Sequence, residues 1–151
     1  MSEEIKEQYE KIFRYCFFKV HDREAAEDIT QETFLRYISK KGSGPGFEMR
    51  YLYTIAKNLC IDEYRKVQYE PMPEDYESEA LQSPGIPEEK IMIREALSKL
   101  SEEDREILLL RHVNGESAGT ISSTLGISRF ALYRRLKSAE DRLRENLEVG
   151  E

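Results

Sequence analysis

The chain has 151 residues, of which 35% are charged and 39% hydrophobic, and a net charge of −7. That is room for one large domain or two small ones with modest helical cores, and it is too apolar for a disordered chain. A membrane span is excluded, because the longest aliphatic run, Ile107 to Leu110, is four residues against about 20 required.

The opening stretch MSEEIKEQYEKIF is acidic where a secretion signal is basic and then apolar, so the expected location is the cytoplasm. Ile5, Tyr9, Ile12, Phe13, Cys16, Phe17 and Val20 recur at three- and four-residue spacing and predict an amphipathic helix over 3–20. His21-Asp22 breaks it, and Asp22 can cap a second helix over about 22–40. KKGSGPG, residues 40–46, is a loop. A third helix over about 47–67 carries Leu52, Ile55, Ala56 and Leu59 as its apolar stripe. Cys16 and Cys60 both fall within apolar helical patterns and are expected as reduced, buried thiols; neither disulfide nor metal-ligand spacing is present.

Two faces of this first module stand out. On the second helix, Asp28, Gln31, Glu32, Leu35 and Arg36 share one side. On the third, Lys57, Asn58, Asp62, Arg65 and Lys66 alternate with core positions behind the aromatic start Phe47, Tyr51 and Tyr53. An extruded base needs stacking surfaces and polar groups for its edge, and the strand carrying it needs cations along its backbone. Phe47 and Tyr51 suit a base pocket, Asn58 a base edge, and Arg50, Lys57, Arg65 and Lys66 the phosphates.

Residues 67–89 contain seven acids, no base and four of the five prolines, so they predict a tether rather than a helix. The flanking segments are each neutral, with 12 acids and 12 bases in 1–66 and 11 of each in 90–151, so the whole −7 belongs to the tether. Such a run repels itself and extends, and its acids can imitate nucleic acid toward a cationic channel. Cations concentrate instead in 36–66 and 111–144, with seven bases against three acids in each. Two basic surfaces in an acidic chain are the footprint of a protein that meets phosphates in two places.

Beyond the tether, a helix is predicted from about Glu88, with Ile91, Ala96, Leu97 and Leu100 inward. Ser101 opens another, with Ile107, Leu108, Leu110 and Val113 as its face, and Asn114-Gly115 ends it. Ser117 starts a short helix through Leu125; Gly126-Ile127-Ser128 turns the chain, and Ser128 caps a long basic helix. Leu132, Leu136, Ala139 and Leu143 form its inward stripe, while Phe130, Tyr133, Arg134 and Lys137 lie on another face, flanked by Arg129 and Arg135. Short helix, glycine turn and longer basic helix make a helix-turn-helix, whose second helix enters the major groove at its N-terminal end. Ser128, Arg129, Phe130, Tyr133, Arg134, Arg135 and Lys137 are the candidate readers, with Arg142 further along for phosphates of any sequence.

DITQETF and YLYTIAKNLCIDEYR resemble region two of bacterial sigma factors, D-x-T-Q-E-x-F followed by W-L-x-x-I-A-x-N-x-x-x-D-x-x-R, with Tyr51 where tryptophan is usual. ALSKLSEEDREILLLRHVNGESAGTISSTLGIS resembles region four through Arg105, Arg111, Leu125, Gly126, Ile127 and Ser128, followed by Arg135; Ser101 replaces a proline and Gly119 a glutamate. Region two, a short linker and region four, in that order, resemble the extracytoplasmic-function group.

The resemblance implies an all-α fold of two small domains, a three-helix bundle over 1–66 and a helix-turn-helix domain over 90–151, joined by the acidic linker 67–89. It implies a non-enzymatic initiation subunit without metal or other cofactor, directing core RNA polymerase to promoters and assisting melting. Asp28, Gln31, Glu32, Leu35 and Arg36 would dock on the beta-prime clamp helices, and the second domain on the beta flap. Phe47, Arg50, Tyr51, Lys57, Asn58, Asp62, Arg65 and Lys66 would hold the minus-ten element, the helix-turn-helix the minus-thirty-five element, and an anti-sigma factor would be a further partner. An independent dimeric helix-turn-helix regulator explains 101–147 but leaves the first 66 residues without a role. A helical polymerase-docking adaptor would make the basic face of the last helix dispensable.

Overall fold

Helix α1 (Glu3–Val20), α2 (Arg23–Lys41) and α3 (Met49–Tyr69) pack against one another in pairs. The computed structural model of the chain describes residues 3–41, 47–69 and 88–149. Ile12, Tyr15 and Cys16 from α1, Ala26, Ile29 and Phe34 from α2, and Leu52, Tyr53 and Ala56 from α3 form the core of this bundle. Each fully buried large side chain contributes roughly 1.5–3 kcal/mol. Helix α2 buries Thr30 and Thr33 beside its apolar residues. Their hydroxyls donate to the carbonyls of Ala26 and Ile29 at 2.6 and 2.7 Å, so neither enters the core with an unmet polar group.

The α1–α2 corner turns at His21, whose φ is 56°. Its N–H closes α1 on the Phe17 carbonyl at 2.9 Å, and Asp22 Oδ1 accepts from Glu24 N at 3.0 Å to start α2. The α2–α3 connection is pinned at its far end. Gln8 Nε2 donates to the Phe47 carbonyl at 2.8 Å, and Glu48 N donates to the Tyr37 hydroxyl at 2.9 Å. Cys16 and Cys60 are both free and buried. The hydrogen bond between them and their burial push the Cys16 thiol well above its ordinary range.

The second half comprises α4 (Glu88–Ser98), α5 (Glu102–Leu108), α6 (Ala118–Leu125) and α7 (Arg129–Val149). Helix α3 runs on to Tyr69 and α4 begins at Glu88, so both ends of the expected tether are helical. The acidic run between them lies outside the described residues. Among those residues every element is helical.

Local caps set the helix ends. Ser101 Oγ accepts from Asp104 N, Ser117 Oγ from Thr120 N and Ser128 Oγ from Ala131 N, at 3.1 to 3.2 Å. Arg105 donates to the carbonyls of Ser98 and Leu100 that end α4, and Arg111 donates to the Glu116 carbonyl at 3.0 Å. Helix α5 continues into a π-helical turn, Leu109–Val113. The wider turn adds a residue to the repeat and rotates the positions after it about the helix axis. Leu109 is buried with Leu108 and Leu110, and Val113, expected on the inward face, is 40% exposed.

Gly126 closes α6 with φ at 69°, and a Cβ there would meet nothing within 4 Å. Strain from Gly126→Ala would therefore be purely conformational, and the variant should lose about 1–2 kcal/mol in a denaturant titration. His21 yields a second prediction. Its partial burial, and then the Arg94 guanidinium, hold the imidazole below the ordinary histidine value of 6.5. The unfolded chain therefore binds more protons there, and stability is lost as pH falls below about 6.5. His21→Asn keeps a side chain that tolerates positive φ but removes the titration. Its Tm should drop less than that of the parent between about pH 7.5 and about pH 5.5.

Candidate nucleic-acid interface

The reading end of the helix-turn-helix is the N-terminal half of α7, held from behind by Leu132, Leu136 and Ala139. Phe130 and Tyr133 are 76% and 56% exposed, and Ser128, Arg129, Arg134, Arg135 and Lys137 are exposed with them. Two large rings left in water among cations have no role in the core. Arg134 lies over the Phe130 ring, its guanidinium carbon 5.7 Å from the centroid, which stiffens both side chains toward a base edge. Arg135 is drawn toward Glu103 at 3.9 Å, and Arg129 folds over Gly119. Arg142, expected to meet phosphates, is exposed and also makes a contact within the fold. Its guanidinium meets the largely buried Asp104 carboxylate at 3.0 Å and ties α7 to α5.

On α3 the expected residues divide. Arg50, Lys57, Asn58 and Arg65 recur on one face by helical spacing, with Asn58 and Arg65 exposed. Arg50 donates to the Tyr51 hydroxyl at 2.9 Å and lies 4.6 Å over that ring, so Tyr51 is backed by a cation. Phe47 is a core ring, edge-on to both Phe34 and Tyr37, and anchors the start of the helix rather than presenting a stacking face. Asp62 and Lys66 turn toward α2. There they line a shallow groove with Asp28, Glu32 and Leu59.

The α2 face is fully presented. Asp28, Gln31, Glu32, Leu35 and Arg36 are all exposed, and Leu35 is 61% exposed at the middle of the patch. Arg36 pairs with Glu32 at 2.9 Å, which fixes both on this surface.

The sequence pattern missed a third group, where the two halves meet. Glu106 and Glu116 are 4% and 5% exposed. Glu106 accepts a hydrogen bond from the Tyr15 hydroxyl, and Lys19 Nζ stands 2.5 Å from its other oxygen. Glu116 accepts from the Tyr53 hydroxyl at 2.5 Å and from Lys11 at 3.1 Å. Between them Asn114 donates to the Lys11 carbonyl at 2.9 Å and to Tyr53 Oη at 3.0 Å, and accepts from Arg14 at 3.3 Å. Burial, followed by the adjacent carboxylate, drives both phenols well above the ordinary tyrosine range, so both remain donors. Tyr15 and Tyr53 meet edge to face at 5.2 Å.

Comparison with known proteins accounts for both halves. Residues 5–69 match the family model described as Sigma-70 region 2, and residues 90–143 match Sigma-70, region 4. The ECF RNA polymerase sigma factor SigE of Mycolicibacterium smegmatis is 28% identical over 97% of this chain, which spans 61% of that protein's length. RNA polymerase sigma factor YlaC of Bacillus subtilis is 28% identical over 94% of this chain and 88% of its own. In solved structures, the sigma factor RpoE of Bartonella quintana, in complex with the anti-sigma factor NepR, has the same fold. The TM-score is 0.67 at 20% identity, covering 99% of this chain and 97% of that one.

Arg134 and Arg142 are readily told apart. Arg134→Ala should cost about 1–3 kcal/mol of binding to a selected duplex and relax preference at one base pair. Arg142→Ala should leave that preference intact and lower the unfolding free energy by about 1 kcal/mol, since it breaks a partly exposed pair. Selection from a random-duplex library together with a melt measures both effects.

Proposed function

Because the chain belongs to the sigma-70 family as an extracytoplasmic-function sigma factor, we propose that it delivers core RNA polymerase to promoters through four surfaces. The exposed α2 patch around Leu35 docks on the clamp helices of the beta-prime subunit, and the C-terminal domain engages the beta flap. The α3 face of Arg50, Tyr51, Lys57, Asn58 and Arg65 holds the minus-ten element. The α7 face of Arg129, Phe130, Tyr133, Arg134 and Lys137 reads the minus-thirty-five element. The observation that carries this reading is the presence of two differently built outward faces, one acidic-apolar and one basic-aromatic, on the two halves of one chain. A lone operator-binding regulator needs only the second.

Cations on α3 and α7 supply attraction to phosphate without regard to sequence, and the rings and Asn58 supply discrimination. No step in this role makes or breaks a bond in the protein. Among the described residues no helix is long and apolar enough to cross a membrane, which accords with work on cytoplasmic polymerase and DNA.

Transcription reconstituted from purified core polymerase, this chain and a genomic promoter library tests the reading. Start sites should appear only when both proteins are present. Asp28→Lys and Glu32→Lys should abolish co-purification with core polymerase by at least tenfold in affinity, ~1.4 kcal/mol, while the thermal melt stays that of the parent. Normal co-purification of either variant removes that residue from the docking surface.

A further inference from the structure

We propose that Cys16 and Cys60 form a dithiol site that a small peroxide oxidises in the folded chain, fastening α1 to α3 with a reversible disulfide. The proposal stands apart from the sigma reading, since it concerns only the N-terminal bundle. Far apart in the sequence, the two residues meet because each lies at the end of an apolar stripe. Ile12 and Cys16 are one turn apart on the inner side of α1, and Leu52, Ala56 and Cys60 recur at the same interval on α3. The two helices pack together, and the thiols hydrogen-bond across the contact. Both are free in this structure.

A buried cysteine that only fills space behaves as a small, inert apolar group. This pair differs. Each thiol has the other within hydrogen-bond reach, so attack and resolution need no second protein. The hydrogen bond from Cys16 lowers the Cys60 thiol against the opposing effect of burial, and the Lys19 ammonium lowers it further, with Glu106 and Glu63 acting the other way. Cys60 also retains 4% exposure where Cys16 has none. The more accessible sulfur is therefore the one closer to a thiolate, which makes Cys60 the attacking group and Cys16 the resolving one.

Cys60 Sγ attacks one oxygen of the peroxide and the O–O bond breaks. The departing oxygen takes the proton shed by the Cys60 thiol, and a sulfenic acid remains on Cys60. Cys16 Sγ then attacks that sulfur, the S–O bond breaks, and the hydroxyl leaves as water with the Cys16 proton. Two thiols give up two electrons and two protons, and hydrogen peroxide becomes two waters. Burial selects the oxidant. Hydrogen peroxide is little larger than water, whereas a disulfide as bulky as oxidised glutathione cannot reach either sulfur in the packed bundle.

The test treats the dilute full-length chain at neutral pH with hydrogen peroxide or, separately, with oxidised glutathione, then maps its peptides by mass spectrometry without reductant. Peroxide should give a cross-linked peptide joining Cys16 to Cys60 that dithiothreitol separates. Oxidised glutathione should give neither the cross-link nor a mixed disulfide. The bridged chain should melt about 5 °C or more above the reduced one, because the bridge restricts the unfolded chain, and reductant should reverse the shift. Cys16→Ala should halt the reaction at a Cys60 sulfenic acid that dimedone traps, and Cys60→Ala should give no adduct at Cys16. If either variant fails to fold, the map and the melt of the parent decide by themselves. Both thiols surviving peroxide in the folded chain, oxidation of Cys60 to sulfinic acid without the cross-link, or a cross-link only between chains or only in urea would each overturn the proposal. So would a mixed disulfide with glutathione, or a bridged chain that melts no higher than the reduced one. A dimedone adduct at Cys16 in Cys60→Ala would overturn the assignment of the attacking sulfur.

Discussion

A carboxylate out of reach of water must be met by donors or cations, or it destabilises whatever encloses it. Two such groups, Glu106 and Glu116, lie on the inner side of the C-terminal domain, and their needs set the arrangement of the whole chain. Their partners come from α1 and α3, so those two helices are placed against the end of α5 and the segment leading to α6. The π turn at Leu109–Val113 lies between them and shapes the surface that Asn114 brings to Lys11 and Arg14. The buried apolar side chains of the two halves belong to one cluster, and Glu106, Asn114 and Glu116 are buried with them.

Charge is distributed to the same end. Each half is neutral in total, yet each presents cations on one face and acids elsewhere. The net −7 is set by the acids of 67–89, of which Glu88 and Glu89 open α4, and it says little about what either half binds. In α2, acids and a leucine face outward; in α7, arginines, lysine and two rings do. Long-range attraction to DNA depends on such local fields more than on the sum over the chain.

Helix positions and most of the outward faces were legible from the residues because their causes are local. Ser101, Ser117 and Ser128 cap where their side chains suggest, and Gly126 takes the left-handed turn expected of it. The exposed stripes of α2 and α7 come from helical spacing alone. Other features were beyond such reasoning. The inserted residue of the π turn breaks the spacing that placed Val113 inward. Phe47 reads as a candidate stacking ring, but Gln8 holds its backbone carbonyl and the rings of Phe34 and Tyr37 enclose its side chain. Glu106 and Glu116 look like ordinary helix and turn acids until residues 63 to 105 positions earlier are folded against them. The contact between Arg142 and Asp104 escapes such reasoning for a related reason, since the two are 38 residues apart. Local chemistry predicts elements and faces; which charges find one another depends on the tertiary fold.

Gly119 carries a consequence for how such a protein diversifies. A methyl group there would come within 2.9 Å of the Arg129 Nη2, the far end of a long side chain that can swing away. The fold would lose little, but the guanidinium at the leading edge of the reading helix would have to point elsewhere. Positions 119 and 129 are therefore epistatic: the same mutation at one is silent or consequential according to the residue at the other. A lineage can drift at position 119 at little thermodynamic risk and re-aim Arg129 each time, with its scaffold untouched.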